Sequence, residues 1–549
     1  MQNAAQKSLL AENDFLKSLL AIRDTELSAR DAELSTRDAA ITLLYSDITQ
    51  RDAAIAQRDK TIAHHEAQLA LLLEQIRLMR HTFYAASSEQ VPGQGVLFDE
   101  AEVLAAVEEA AADVPVPDAP AKARGKRAPL PAHLPRVEIV YELTAEERQC
   151  ACGTEKVEIG QEVSEQIDIV PMRVQVLRHI RKTCACPTCQ LAPVTAALPP
   201  QPIPKSNASA NTLALLITAK YVDGIPLHRF EKVCARHGFE ASRNTLARWV
   251  IACSELMIPL HNLLRDHLLS QNILHMDETP VQVLKEPGRT AQSQSYMWVQ
   301  SGGPPKQPIV LFDYDASRSG SVPARLLEGY RGHLMTDGYD GYNAVVAQNG
   351  LTHLACWAHA RRKFIEAQKA QPKGKSGSAD VAVKMIGKLY GVERDIKDIA
   401  DIAVRQQVRT ERSVPVMTEV RAWLDKRKAE VPPKSKLGEA LAYLNKYWPK
   451  LVRYLERGDL PIDNNRAENA IRPFVIGRKN WLFSDTPVGA HASARLYGII
   501  ETAKANGHEP YAYLRRILRD LPKAKSVEDF EALLPWNLEP NVLAAESLD

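Results

Sequence analysis

Three carboxylates, each set in a distinctive local pattern, have the chemistry for phosphoryl transfer. Asp277 interrupts the apolar, strand-like run Ile273-Leu-His-Met-Asp277-Glu-Thr-Pro-Val-Gln-Val-Leu284. Asp337 ends the short strand-like His333-Leu-Met-Thr-Asp337-Gly-Tyr339, which closes on a Gly turn. Glu468 belongs to Ile462-Asp-Asn-Asn465-Arg466-Ala-Glu468-Asn-Ala-Ile-Arg472. There, Asn464 or Asn465 is suited to cap a helix that puts Glu468 and Arg472 on one face. Carboxylates brought together repel unless cations sit between them. Carboxylates with water ligands suit Mg²⁺, with Mn²⁺ as an acceptable substitute. Two such ions about 4 Å apart clamp the attacking and leaving oxygens of a phosphoryl transfer. A lone acid at a strand end is more often a turn cap, and Glu278, Asp313, Asp315, Asp340, Asp463 and Glu501 are nearby decoys. Asp340 replaces Asp337 if that strand runs three residues further.

Basic and sulfur-bearing residues add to this. Arg472, Arg478 and Lys479 are placed to hold phosphates, and Trp481 offers a face for a base to stack on. A second basic group, Arg361, Arg362 and Lys363, follows Cys356-Trp-Ala-His359, whose cysteine and histidine either pack behind the acids or orient one of them. Five of the eight cysteines fall between Cys150 and Cys189. Cys150-Ala-Cys152 and Cys184-Ala-Cys186-Pro-Thr-Cys189 bracket about thirty residues of strand-like alternation, as a zinc ribbon requires. The expected Zn²⁺ ligands are Cys150, Cys152, Cys186 and Cys189, with Cys184 spare; the first knuckle is one residue tighter than usual.

The acids need a scaffold. Strand-like Tyr296–Gln300 and Pro308–Phe312 follow the Asp277 strand, then a helical piece at 324–327, the Asp337 strand, and a fifth strand over Thr352–His359 running into the basic helix. That order suits a ribonuclease-H-like sheet, in which the ends of the first and fourth strands lie side by side. Helical periodicity from Ala379 to Leu455 separates the second acid from the third. Upstream, Leu227–Gly238 leads through Ser242 into Asn244–Val250, a helix-turn-helix pattern with Arg243, Asn244 and Arg248 as its reading face. The first eighty residues repeat every seven: Leu27, Leu34, Ile41, Ile48, Ile55, Ile62, Leu69 and Ile76 form one register, and Arg23, Arg30, Arg37, Arg51 and Arg58 a second. A seven-residue stripe favours a left-handed coiled coil and hence self-association, firmest near Leu69–Phe83, where both seam positions are apolar. The Ala- and Pro-rich stretch 110–135 reads as a linker.

With 69 basic against 67 acidic side chains, the net charge of +2 gives no global attraction to nucleic acid, so any DNA surface rests on local clusters. No apolar run approaches the roughly 18 to 20 residues that span a bilayer, and Met1–Phe15 lacks the pattern of a signal peptide. A cytoplasmic protein without membrane contact is expected.

Taken together, His275-Met-Asp277-Glu-Thr, Thr336-Asp337-Gly-Tyr, Cys356-Trp-Ala-His-Ala-Arg-Arg-Lys-Phe364, Asp463-Asn-Asn-Arg-Ala-Glu468 and Gly477-Arg-Lys-Asn-Trp-Leu-Phe483 resemble the DDE transposases of insertion sequence family sixty-six. The likeness extends over nearly the whole chain. It implies a multidomain α+β protein. Its parts are a coiled-coil helix (1–85), a linker (86–136), a zinc-ribbon-like domain (137–195) and a helical, helix-turn-helix-like domain (205–270). A ribonuclease-H-like mixed α/β catalytic domain (271–365) follows, then a helical insertion (366–458), the catalytic completion carrying the third acid (459–506) and a C-terminal helical segment (507–549). It further implies a transposase that binds the terminal inverted repeats of its own element, alongside small accessory proteins, and that cleaves and joins DNA with Asp277, Asp337 and Glu468 as catalytic metal ligands. The rival readings are a nuclease that cuts without joining and a DNA-binding protein whose acid site has decayed.

Overall fold

The computed structural model describes residues 2–84, 174–184, 194–371, 377–540 and 543. Two compact units are formed, one by Met1–Ser88 with Cys356–Ile462 and the other by Glu89–Ala355 with Asp463–Asp549. The first begins with α1 (Gln2–Tyr84), a single helix of 83 residues. Its seven-residue stripe lies open: Leu27, Leu34, Ile41, Ile48, Ile55, Ile62, Leu69 and Ile76 are 48–61% exposed.

In the second unit, β1 (Thr183–Cys184) pairs antiparallel with β2 (Val194–Thr195). The expected zinc ligands Cys150, Cys152, Cys186 and Cys189 lie outside the described residues. Helices α2 (Ala210–Tyr221), α3 (Leu227–Arg236), α4 (Arg243–Leu256) and α5 (Ile258–Leu269) come next. Their ends follow local chemistry. The hydroxyls of Ser209 and Ser242 accept from Thr212 N and Thr245 N, capping α2 and α4. Gly238, at φ +77°, turns the chain between α3 and α4 in a conformation that side chains resist.

Five strands form the sheet: β3 (Ile273–Gln282), β4 (Gln294–Gly302), β5 (Ile309–Asp315), β6 (His333–Thr336) and β7 (Thr352–Ala355), in the spatial order β5-β4-β3-β6-β7. β3 runs antiparallel to β4 and parallel to β6, and β6 runs parallel to β7. α6 (Ser321–Leu326) lies between β5 and β6, and α7 (Asn343–Asn349) between β6 and β7. The fifth strand is shorter than the sequence suggested. It stops at Ala355, and Trp357 already begins a helix.

That helix, α8 (Trp357–Lys369), opens the helical part of the first unit, with α9 (Ser378–Ile396), α10 (Ile402–Val408), α11 (Val414–Glu430) and α12 (Lys436–Leu451). The reason for the early start is visible in the backbone: Trp357 N donates to Ile462 O at 3.2 Å and its indole Nε1 to Leu451 O at 2.9 Å. Both bonds draw the chain off the strand path. Arg409, fully buried, fixes this bundle by pairing with Glu393 and donating to the carbonyls of Tyr454, Arg457 and Leu460. Glu74 of α1 accepts from Lys436 N at 2.8 Å, tying the end of the long helix to the start of α12.

The second unit resumes with α13 (Asn465–Trp481), α14 (Pro487–Ala505), α15 (Pro510–Asp520) and α16 (Val527–Glu531). α14 is buried along most of its length against β5. Thr502 Oγ1 accepts from Val310 N and donates to Val310 O, so a helix side chain satisfies the open edge of the sheet. One apolar core runs from α2 through the sheet to α15. Among the described residues, no helix is long and apolar enough to cross a membrane.

Candidate active site

Strand register brings the first two acids together. The parallel pairing of β3 with β6 matches His275 with Met335, and two residues beyond that pair stand Asp277 and Asp337. β6 ends at Thr336, so Asp337 occupies the strand end, whereas Asp340 stands exposed at the start of a 3₁₀ turn. Asp337 Oδ1 accepts from Tyr339 N at 2.8 Å, and Asp277 Oδ1 accepts from Glu278 N at 2.9 Å.

The third acid arrives on α13, held to the same strand by Asn464. This residue is fully buried. Its Nδ2 donates to Met276 O at 2.9 Å, and its Oδ1 lies 3.1 Å from His275 Nδ1. Asn464 therefore occupies the cap position without capping by its side chain, which is engaged on β3. The capping contact falls to Asp463, whose Oδ1 accepts from Asn465 N at 3.1 Å. Arg466 reaches the end of β4, donating to Ser301 Oγ at 3.0 Å and to the carbonyls of Gly302 and Gly303. One helical turn after Asn464, Glu468 is buried, with its N–H bonded to Asn464 O at 3.1 Å.

The electrostatics match that convergence. Burial first, and then the charges of Glu278, Asp337 and Glu468, hold the Asp277 carboxyl well above the usual carboxylate range. His275 is pushed down to about 3 by burial and by the Arg466 charge, against the opposing pull of Asn464. Burial thus favours its neutral, hydrogen-bonding form.

The other nearby acids have partners of their own. Glu278, whose charge acts most strongly on Asp277 after burial, is itself engaged. It is paired with Arg318 at 2.6 Å and accepts from Tyr342 Oη at 2.7 Å. Arg318 lies over the Tyr339 ring, 4.0 Å from its centroid. Asp313 holds Arg265, Asp315 holds Arg325, and Glu501 holds Lys504.

The residues expected to bind DNA fall in three places. Arg243, Asn244 and Arg248 are exposed on the first half of α4. Arg472 and Arg478 are half-buried on α13 and Lys479 is exposed, with Arg478 donating to Thr279 Oγ1 at 3.3 Å. Trp481 is half-buried, edge-on to Phe474 at 5.5 Å between centroids, with Lys220 over its ring. Arg361, Arg362 and Lys363 are half-buried on α8 in the helical unit. His359 is pushed down to about 3 by burial and then by Arg362 and Lys363, and Cys356 is buried at the start of the same helix.

Sequence reasoning took Asn464 only as a candidate helix cap and passed over His275, Arg466, Arg318 and Tyr342 as working parts of the site. The first three carried a signal: each stands within four residues of a candidate acid in a polar cluster beside apolar strand or helix. Arg318 and Tyr342 lie far from Glu278 in the chain and only the fold joins them.

Comparison with known proteins gives four family matches. The family described as "Transposase IS66 family" matches residues 205–492, and "IS66 C-terminal element" matches 499–536. "Zinc-finger binding domain of transposase IS66" matches 147–190, and "Transposase C of IS166 homeodomain" matches 71–139. Among individual relatives, the uncharacterized protein y4qI of Sinorhizobium fredii is 30% identical over 497 residues, covering 87% of this chain and 90% of its own length. The uncharacterized protein y4jD of the same organism is 31% identical over 423 residues, covering 74% of this chain and 81% of its own.

Proposed function

The chain belongs to the IS66 family of transposases, and from that premise we propose that Asp277, Asp337 and Glu468 cleave and join DNA at the inverted-repeat ends of an insertion sequence. The observation that carries this reading is the buried Asp277 carboxyl, held above the usual range first by burial, then by the charge of its neighbour Glu278 and by those of Asp337 and Glu468, which are distant along the chain. The strand order, with an antiparallel β5-β4-β3 half and a parallel β3-β6-β7 half, supports a ribonuclease-H-like catalytic domain.

Three carboxylates that disfavour one another's ionisation form a donor set suited to hard divalent cations. Asp277, Asp337 and Glu468 would hold Mg²⁺, which would supply charge for the transferred phosphate and acidify the attacking water. The chain's own residues do the positioning. Asn464 keeps Glu468 at the height of Asp277, and neutral His275 adds no charge behind the acids. Arg472, Arg478 and Lys479 hold phosphate oxygens along α13, Arg243, Asn244 and Arg248 contact the end sequence from α4, and the α8 cluster Arg361, Arg362 and Lys363 adds backbone contacts. The zinc-finger match points to structural Zn²⁺, for which Cys150, Cys152, Cys186 and Cys189 are the proposed ligands. The open stripe of α1 joins copies of the chain, and element-encoded accessory proteins act beside it.

The test is incubation of a labelled inverted-repeat end with Mg²⁺ or Ca²⁺. Nicked ends followed by joined product in Mg²⁺ alone are expected, with Asp277→Asn retaining end binding and losing cleavage. Cleavage that survives in Asp277→Asn overturns the assignment, and cutting without joining makes the protein a nuclease.

A further inference from the structure

The polar residues beside the open stripe of α1 specify how a second copy docks. In a seven-residue repeat the residues three and four places beyond a stripe position lie about 50° to either side of it. Three places on stand Arg23, Arg30, Arg37, Arg51 and Arg58; four places on stand Asp24, Asp31, Asp38, Asp52 and Asp59. The aliphatic ridge is thus flanked by a basic rail on one side and an acidic rail on the other. The two rails cannot neutralise each other within one helix, because residues one apart do not face each other. Arg37 and Arg51 instead reach Glu33 at 3.1 Å and Asp47 at 2.8 Å, acids outside the rail, and all of these groups are exposed.

We propose that α1 pairs with α1 of a second copy in parallel and in register, ridge against ridge, with Arg30 facing Asp31 of the other copy and each following rail pair alike. This rests on the self-association reading above and goes beyond it in fixing direction and alignment. The geometry decides direction. A two-fold axis along the helices carries the basic rail of one copy onto the side of the acidic rail of the other, on both sides of the ridge. A two-fold axis across the helices sets Arg against Arg and Asp against Asp, which repel. Alignment is decided by the one interruption within the rails, Leu44 and Tyr45. In register, Leu44 meets Tyr45 of the second copy. A slip of seven residues puts Tyr45 against an Arg and Leu44 against an Asp, leaving charges without opposites.

The experiment uses the full chain carrying donor or acceptor dye on its N-terminal amine, with mass measured on the mixed sample. An 83-residue helix is about 125 Å long, so antiparallel pairing holds the dyes beyond transfer range. A mass of two copies with efficient transfer is expected. The same mass without transfer overturns the parallel arrangement and leaves self-association standing; a monomer overturns both. A second chain with the rails exchanged (Arg30→Asp, Asp31→Arg, Arg37→Asp, Asp38→Arg, Arg51→Asp, Asp52→Arg) keeps composition and exposed positions. In parallel pairs it matches itself and repels the native chain, so mixed pairs should fall about tenfold below random exchange. Random or preferential mixing overturns the rail pairing.

Discussion

Asn464 uses both ends of its amide on β3, and that sets where Glu468 stands relative to Asp277. Replacing it with Leu leaves Met276 O and His275 Nδ1 buried without those partners. The expected cost is about 2–4 kcal/mol of stability. A displaced Glu468 should also lower end cleavage by roughly 10–100-fold while DNA binding persists. Thermal melting and a cleavage time course read the two effects separately, and unchanged cleavage would remove Asn464 from the site. Asp277 gives a prediction in pH. Its folded carboxyl titrates above the ordinary value of 3.8 because of burial and three neighbouring acids. The folded state therefore binds a proton that the unfolded chain has released. Stability from this group is fully present below the ordinary value and lost as pH rises through the raised one. In chelator, Asp277→Asn should melt a few degrees higher than the native chain at pH 8, with the gap closing as pH falls. A gap that widens on acidification contradicts the raised value.

Elements show how far local pattern reaches. The helix pair α3–α4 was legible because Gly238 and Ser242 mark its turn and cap, and those signals act within a few residues. The sheet was legible in outline: Ile273–Leu284 was expected and β3 ends at Gln282, while β4 and β5 each extend beyond their apolar centres. The fifth strand was read too long because Trp357 and Ala358 look like strand, and what ends it is a bond to Ile462, distant in sequence. The N-cap of α13 is Asn464, one of the two residues expected there, but its side chain does not do the capping, for a related reason. Asn464 is well suited to capping, yet β3 claims its side chain and Asp463 takes over. At this scale α4 carries a prediction for DNA. Arg243 and Arg248 are exposed, so the double alanine variant should alter stability by less than about 0.5 kcal/mol. If both meet phosphates, affinity for end DNA falls and the slope of log affinity against log salt shrinks by about 2. Equal affinity and slope would remove α4 from the DNA surface.

In the whole molecule, α1 and the three candidate acids belong to different compact units. α1 exposes its aliphatic stripe from Leu27 to Ile76, and its Glu74 bonds to Lys436 N at the start of α12. Among the described residues, the helix upstream of Ala70 therefore adds little to the folded core, and a second chain would bury its exposed apolar residues. A chain beginning at Ala70 should melt within about 1 °C of the full protein, since it loses surface but no core. It should sediment as a monomer and still nick a single labelled end in Mg²⁺. On the proposed reading, in which two copies held by α1 bring two ends to a target, the joined product should fall well below that of the full chain at equal nicking. A truncated chain that joins ends as well as the full protein would show that DNA alone gathers the copies and that α1 serves another purpose.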